Sequence, residues 1–340
     1  MATLQDIADA VGVTRMTASR VLNSGYVPTR SDGVRRARRI RKVAQELGYR
    51  PNAAARSTRT GRFNCLAILS PMSVGGFLPP TLLIGLDMAM RLRNLHLSIS
   101  DLPPGINAND DTAPKFLREL LADGLLINFD PQKMPPGLAD RIEQQNVPSI
   151  WINMPRRYDT IQPDDVQGAA WATRTLIERG ARRLLMVTHA DDRAQGLISL
   201  RDREQGCRLA AEEAGLTVHV LRQPPGGHEH ETLQELIALF RSPDRPDAVY
   251  GYEALEAGRA MLAAAYAGLR VPDDLQVIVT SDAPPRHAGL TIATAQIPFG
   301  EIGQEAVDML GEKVEAPDTP LTPRVVKYLH LNPGSTLSGA

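Results

Sequence analysis

Cysteine is scarce in this chain of 340 residues, and long apolar runs are absent. The two cysteines, Cys65 and Cys207, lie far apart among apolar neighbours, which favours two buried, reduced thiols over a disulfide or a redox pair. No segment approaches the ~20 continuous apolar residues that a membrane-spanning helix needs. The first residues, MATLQDIADAVGV, contain acids early and no basic region before an apolar run, which is not typical of a secretory signal. A cytoplasmic protein without a membrane partner is therefore expected.

Short motifs of several enzyme classes are also missing. None of the patterns GxxxxGK[ST], HExxH, CxxC or GxSxG occurs, so the sequence gives no support for nucleotide hydrolysis, zinc proteolysis or serine-hydrolase chemistry. His228, Glu229 and His230 could bind a metal, but a Gly-rich segment without a further ligand nearby favours a solvated loop. We predict no catalytic residue, no metal site and no cofactor.

Charge is distributed unevenly along the chain, although the net charge is only −1. Residues 1–62 contain thirteen Lys and Arg but four acids, a net charge of +9, and the remainder therefore carries −10. A basic head on an acidic body is typical of a polyanion-binding module joined to a domain that does not bind nucleic acid. Charge alone leaves a second interpretation open, in which the basic run 35–42 is a solvated helix face.

The first 23 residues have the spacing of a helix-turn-helix. Thr3 is the predicted N-cap, Ala8 provides the small contact between two helices, and Gly12 forms the turn. A third helix follows, with Val34, Ala37, Ile40, Ala44 and Leu47 on its apolar face. The polar side chains that point outward suit phosphate and base contacts in the major groove, although a plain helical hairpin with a polar face is the alternative. These side chains, together with one methionine, are Thr14, Arg15, Met16, Thr17, Ser19, Arg20 and Asn23.

After residue 63 short apolar runs alternate with longer amphipathic ones. This alternation predicts an α/β fold with parallel sheets flanked by helices, and eight strands over ~270 residues fit two such sheets. The predicted strands are 65–70, 95–100, 124–128, 148–153, 183–188, 217–222, 247–252 and 275–280. The predicted helices are 80–94, 113–123, 166–180, 202–215, 231–241 and 254–268.

The segments TLQDIADAVGVTRMTASRVLN and ELGYRPNAAARS closely resemble the lactose-repressor (LacI/GalR) family of bacterial transcription regulators. Looser similarity continues through 164–187, 201–216, 271–283 and 290–310. The resemblance implies a helix-turn-helix head at 1–50, a hinge helix and linker at 51–62, and a body at 63–340 like a periplasmic sugar-binding protein. The implied body has two lobes, about 63–160 with 292–322 and about 161–291 with 323–340.

The same resemblance assigns roles on DNA. Arg15, Met16 and Arg20 would contact bases, while Thr14, Thr17, Ser19, Asn23, Tyr49 and Asn52 would bind phosphates. The hinge, with Ala55, Thr58 and Arg59, would lie in the minor groove of a near-palindromic operator bound by a homodimer or a dimer of dimers. Thr58 replaces the family's typical leucine wedge, which favours weaker kinking of the DNA over the alternative that a neighbour such as Arg59 contributes through the narrowed groove. The segment 24–33 is also a few residues longer than usual.

The resemblance further implies an effector between the lobes. Arg203 and Asp282 stand where the family binds ligand hydroxyls or carboxylates, and such a pair suits a sugar or sugar acid. An ion pair at the surface of a lobe or between the lobes is the alternative for each residue. Tyr252 replaces a typical asparagine and could stack on a sugar ring or fill core. Ser73 and Phe77 are weaker candidates.

Three functions compete at this point. An effector-controlled DNA-binding transcription regulator, a repressor by family analogy, is favoured. A sugar-binding module of a transport system would share the body's fold, but such a module does not need a basic helix-turn-helix head. An enzyme fused to a DNA-binding domain lacks a catalytic constellation. In the favoured function the effector changes the angle between the lobes and thereby operator affinity.

Overall fold

The computed structural model describes residues 2–23, 28–50, 57, 61–71, 78–102, 119, 121–129, 134–189, 198–224 and 229–339. It divides into two compact units, Met1–Phe63 and Asn64–Ala340. We call the first unit the head and the second the body. Among the described residues no helix has the length and apolarity to cross a bilayer, and no group of three His, Cys, Asp or Glu side chains could hold a metal ion.

Three helices form the head: α1 (Leu4–Val11), α2 (Arg15–Asn23) and α3 (Ser31–Glu46). Thr3 caps α1 as predicted and forms a capping box with Asp6, because the Thr3 hydroxyl accepts from the Asp6 amide at 3.3 Å and the Asp6 carboxylate accepts from the Thr3 amide at 2.7 Å. Gly12 ends α1 with φ of 73°, a conformation that favours glycine. The Thr14 hydroxyl then accepts from the Thr17 amide at 3.2 Å and caps the beginning of α2.

The head buries one small apolar core. Its buried members are Ile7, Ala8, Ala18, Val21, Ala37, Ile40 and Ala44. The prediction was wrong for Val34 and Leu47, which are exposed. Helix α3 has 16 residues and is about 24 Å long, whereas α1 is about 12 Å and α2 about 14 Å long. The two short helices therefore cover only the middle of α3, and apolar residues at its ends face solvent.

The first lobe of the body contains a parallel sheet in the order β13-β5-β4-β3-β1-β2. Its strands are β1 (Cys65–Ser70), β2 (His96–Asp101), β3 (Gly124–Asn128), β4 (Ser149–Ile152), β5 (Thr160–Pro163) and β13 (Arg324–Val326). Helices α4 (Pro80–Leu92) and α10 (Phe299–Glu315) cover one face, and α5 (Leu138–Gln144) covers the other. Strands β1, β3 and β4 are almost wholly buried, as expected when helices cover both faces.

The second lobe contains a sheet in the order β14-β12-β9-β8-β6-β7, in which only β14 is antiparallel to its neighbour. Its strands are β6 (Leu184–His189), β7 (Val218–Gln223), β8 (Ala248–Gly251), β9 (Gln276–Ser281), β12 (Ala293–Gln296) and β14 (His330–Asn332). Helices α6 (Asp165–Glu178) and α7 (Ile198–Glu213) pack on one face, and α8 (Glu229–Phe240) and α9 (Ala254–Ala267) on the other. A short hairpin, β10 (Arg286–His287) and β11 (Leu290–Thr291), precedes β12.

The chain passes between the two sheets three times within the described residues. The crossings lie between β5 and α6, between β12 and α10, and between β13 and β14. The observed lobe boundaries differ from the predicted ones by a few residues. The first sheet includes residues 161–163 and 324–326, and the second sheet includes residues 293–296. The differences arise because strands β5, β12 and β13 have only three or four residues and lack the long apolar runs that identify a strand in the sequence.

Candidate DNA-binding and effector-binding sites

Helix α2 presents a polar surface with one large apolar side chain in it. Arg15, Met16 and Arg20 are exposed, and Met16 exposes 80% of its surface. On the opposite face Ala18 and Val21 are buried in the core of the head. Their burial fixes the orientation of α2, so the three exposed side chains lie on the outer surface of the head.

Hydroxyl groups surround the beginning of α2. The Thr14 and Thr17 hydroxyls lie 2.9 Å apart, and Ser19 is half-buried one turn further on. The first backbone N–H groups of a helix and its dipole attract anions, so this end of α2 suits a phosphate of a nucleic acid. The side chain of Asn23 lies outside the described residues, although its backbone belongs to α2.

Tyr49 lies just after α3. It is half-buried against the head core, and its amide donates to the Ala44 carbonyl at 2.8 Å. The exposed basic side chains of α3 are Arg35, Arg36, Arg38, Arg39, Arg41 and Lys42. The predicted DNA contacts Asn52, Ala55, Thr58 and Arg59 lie outside the described residues.

Arg203 lies in the second turn of α7 and is buried. Its Nε donates to Asp165 Oδ1 at 2.7 Å, and its Nη1 donates to the Tyr252 carbonyl at 3.0 Å. Its guanidinium carbon also lies 4.7 Å from the centre of the Tyr252 ring. Burial lowers the pKa of Arg203, but Asp165 and the neighbouring tyrosines raise it well above its ordinary value, so the guanidinium stays charged.

Tyr252 follows β8 at the carboxyl end of the second sheet. Its side chain is buried, and its hydroxyl lies 2.7 Å from that of Ser199 at the start of α7. Burial raises the pKa of Tyr252 to about 12, so the phenol remains protonated near neutral pH. This tyrosine therefore joins β8 to α7 and lies against the guanidinium of Arg203.

Asp282 connects the two lobes. It follows β9 of the second sheet, and its carboxylate accepts hydrogen bonds from the amide and hydroxyl of Thr81 in the first turn of α4. The distance from the Thr81 amide to Oδ2 is 3.3 Å. A carboxylate at a helix N-terminus is favourably placed. The predicted cleft residues Ser73 and Phe77 lie outside the described residues.

Sequence reasoning missed several side chains beside these three. Tyr328, in the third crossing, donates from its hydroxyl to Asp165 Oδ1 at 2.6 Å. His189, at the end of β6, packs edge-on against Tyr252 with ring centres 4.9 Å apart, and its Nδ1 lies 3.8 Å from Glu256 Oε1. The sequence could have indicated these residues only by their position after predicted strands. The carboxyl ends of parallel strands lie at one edge of a sheet, and ligands bind there.

Comparison with known proteins gives matches for both units. Residues 3–52 match the model described as bacterial regulatory proteins, lacI family, and residues 173–337 match a periplasmic binding protein-like domain. The transcriptional regulator CelR of Thermobifida fusca is 27% identical over 345 residues, covering 97% of this chain and 96% of that protein.

Solved structures show the same fold. A lac repressor dimer bound to operator and an anti-inducer aligns with a TM-score of 0.72 and 19% identity, covering 98% of both chains. A CelR–cellobiose complex aligns with a TM-score of 0.64 and 21% identity, covering 99% of this chain and 100% of that one. The predicted α/β fold, with a helical head and a two-lobed body, is confirmed.

Proposed function

The chain belongs to the lacI family of bacterial regulatory proteins, and from this premise we propose that it is a cytoplasmic repressor controlled by a sugar or sugar acid. It is a DNA-binding transcription regulator rather than an enzyme, as its relatives are. The observation that carries the proposal is the surface of α2. Arg15, Met16 and Arg20 project from a small head of net charge +9, which suits base contacts in the major groove.

The proposed effector site lies where the carboxyl ends of the two sheets meet. Asp282 is the proposed direct contact, because its carboxylate already bridges the lobes through Thr81. Arg203 and Tyr252, which are buried and contact each other, are further proposed members of the site, and Ser73 and Phe77 complete the proposed set. The structural neighbour CelR is a complex with cellobiose, which supports a carbohydrate effector for this chain.

Homodimerisation on a near-palindromic operator is the second part of the proposal. Helix α4 exposes Ile84, Met88 and Leu92 at intervals of four residues, and helix α9 exposes Leu255, Leu262 and Tyr266. Exposed apolar side chains that recur along one face of a helix are typical of faces that another protein covers. A second copy of the chain is the proposed occupant, because the lac repressor neighbour is a dimer on its operator. A dimer of dimers would require a second interface in addition to these two helix faces.

Selection of DNA by the purified full chain tests this function. A random duplex pool is enriched over several rounds, and binding of the selected duplex is followed by fluorescence anisotropy with and without a panel of sugars and sugar acids. We expect one enriched inverted repeat. If about 6–10 phosphates are contacted, affinity should fall by about 10³–10⁵ between 50 and 200 mM salt.

Two matched variants make the result specific. Arg20→Ala should lose sequence-selective binding, whereas Leu47→Ala, at the far end of α3, should retain it. One compound of the panel should shift the anisotropy curve of the wild-type protein. Recovery of no enriched sequence under any condition would contradict the function.

A further inference from the structure

Two of the three crossings between the lobes meet at one carboxylate oxygen. Asp165 is the first residue of α6 and comes two residues after the end of β5, so it follows the first crossing directly. Tyr328 lies within the third crossing, between β13 and β14. The Tyr328 hydroxyl donates to Asp165 Oδ1 at 2.6 Å, and Arg203 Nε donates to the same oxygen at 2.7 Å.

These three side chains are buried. Asp165 and Arg203 are each 4% exposed and Tyr328 is 2% exposed. Hydrogen bonds to an ionised group away from water are short and strong, and their loss leaves the partner unsatisfied. Burial raises the pKa of Tyr328 well above its ordinary value, and Asp165 raises it further, so the phenol keeps the proton it donates.

Tyr328 is held at three points along its length. Its amide donates to Gln167 Oε1 at 3.0 Å, and its hydroxyl reaches Asp165. Its ring lies so close to Gly168 that a Cβ atom there would come within 2.7 Å of the ring carbons. The first turns of α6 therefore fix both the backbone and the ring of the third crossing.

The same cluster extends to the proposed effector site. Arg203 donates to the Tyr252 carbonyl, at the carboxyl end of β8, and the Tyr252 hydroxyl contacts Ser199 in the first turn of α7. A continuous series of buried hydrogen bonds thus joins the edge of the second sheet to two crossings. Rotation of one lobe against the other must change the backbone at these crossings.

We infer that Tyr328 is a positioning residue, whose hydroxyl ties the third crossing to the first and makes the two crossings move together when the lobes rotate. The inference rests on the proposed control of operator binding by lobe arrangement. Without the hydroxyl, only the hydrogen bond from the Tyr328 amide to Gln167 and the packing of the ring on Gly168 hold the third crossing to the first. The two crossings then move together less strictly, and operator binding must order them. Tyr328 therefore contributes to operator affinity from the body, without being part of the DNA-binding head.

Tyr328→Phe tests the inference, since it removes only the hydroxyl. The probe is the duplex selected from a random pool by the wild-type chain, and the measurements are its dissociation constant and the thermal unfolding midpoint. We expect the affinity to fall about fivefold or more, within the range of typical couplings between sites. The secondary structure, measured by circular dichroism, should be unchanged.

Tyr250→Phe is the matched control. Tyr250 is also buried in the second lobe, and its hydroxyl lies 3.0 Å from the Thr280 hydroxyl, which in turn donates to the Tyr252 carbonyl at 3.2 Å. The Tyr250 hydroxyl therefore belongs to the same series of buried hydrogen bonds, but neither Tyr250 nor Thr280 lies in a crossing. The variant Tyr250→Phe thus separates a loss within the second lobe from a loss of the tie between the crossings. It should lower the unfolding midpoint while leaving the operator affinity within twofold of the wild type. Equal affinity losses in both variants, or an unchanged affinity in Tyr328→Phe, would overturn the inference.

A second pair of variants serves if Tyr328→Phe does not fold. Gln167→Ala removes the acceptor of the Tyr328 amide and should weaken operator binding, whereas Gln167→Glu keeps an acceptor there and should restore it. Equal affinity of this pair would also overturn the inference. Failure of the wild-type chain to select any duplex would instead contradict the proposed function itself, so the two failures are distinguishable.

Discussion

Met16 is a large apolar side chain in a surface that otherwise consists of arginines and hydroxyls. It exposes 80% of its surface and takes no part in the head core. Water is a poor environment for such a side chain, and the apolar group that a base edge offers in the major groove is the thymine methyl. Methionine is flexible enough to cover it. We expect Met16 to contact one thymine in each half of the operator.

Replacement of single thymines by deoxyuridine tests this contact, because it deletes only the methyl group. Burial of one methyl contributes about 0.8 kcal/mol, so two symmetric replacements should weaken binding roughly tenfold. Met16→Ala should bind more weakly and lose its sensitivity to the replacement, while Leu47→Ala should retain it. If no thymine position matters to the wild-type protein, Met16 does not read a methyl group.

Arg203 shows which part of the site the sequence could predict. Resemblance identified it, with Tyr252 and Asp282, as a candidate effector contact. The structure buries its guanidinium between Asp165 and the Tyr252 carbonyl, a placement that depends on crossings far away in the sequence. The spacing of residues around Arg203 in the sequence does not show that Asp165 and the Tyr252 carbonyl are its hydrogen-bond partners. Its role as an effector contact therefore stays a prediction.

Removal of Arg203 should destabilise the body as well as alter the effector response. Arg203→Ala leaves the Asp165 carboxylate buried without its cation, and breaking a buried pair costs about 3–5 kcal/mol. The double variant Arg203→Met, Asp165→Leu removes both charges and should be more stable than Arg203→Ala. Urea unfolding followed by circular dichroism measures the difference. A double variant that is less stable than the single one would refute this account of the ion pair.

At the scale of elements, the sequence predicted the long buried strands best. All eight predicted strands exist, each within one residue of its predicted ends, because continuous apolar runs identify them. Of the predicted helix 113–123, Glu119 is helical and residues 121–123 are not, while residues 113–118 and 120 lie outside the described residues. Strands β5 (TIQP) and β12 (ATAQ) were missed, since four residues with polar or small side chains give no periodicity.

Helix α4 and strand β9 form a contact that can be tested on its own. The Thr81 hydroxyl and amide both donate to Asp282, so the beginning of a first-lobe helix is tied to the end of a second-lobe strand. Thr81→Val keeps the shape of the side chain and removes the hydroxyl. We expect a larger radius of gyration by small-angle X-ray scattering, because this bond between the lobes is weakened.

Thr291→Val is a suitable control for that measurement. Thr291 lies in β11, wholly within the second lobe, so its substitution should leave the radius of gyration unchanged. An unchanged radius for Thr81→Val as well would mean that other contacts hold the lobes together. Addition of an effector that binds at Asp282 should reduce the difference between the two variants.

The distribution of charge and of apolar surface along the chain separates two tasks, DNA binding and assembly. The head carries +9 and the remainder −10, so attraction to DNA is concentrated in the first 62 residues. The apolar row of α4, by contrast, lies on the acidic body. In the proposed dimer two heads bind one duplex, which doubles the number of contacts that one head would make. The apolar row should therefore control operator affinity through assembly.

Met88→Glu tests this link, because a charge at the centre of the row opposes burial against a second copy. We expect sedimentation velocity to show a monomer, and affinity for the selected duplex to fall by at least a hundredfold, since two heads no longer bind as one unit. Leu209→Glu places the same charge at an exposed apolar position of α7 and should leave a dimer with wild-type affinity. A Met88→Glu protein that remains dimeric would remove α4 from the proposed interface. A monomer that kept full affinity would show instead that one head is sufficient for binding. Selection by that monomer should then enrich a single half-site and not an inverted repeat.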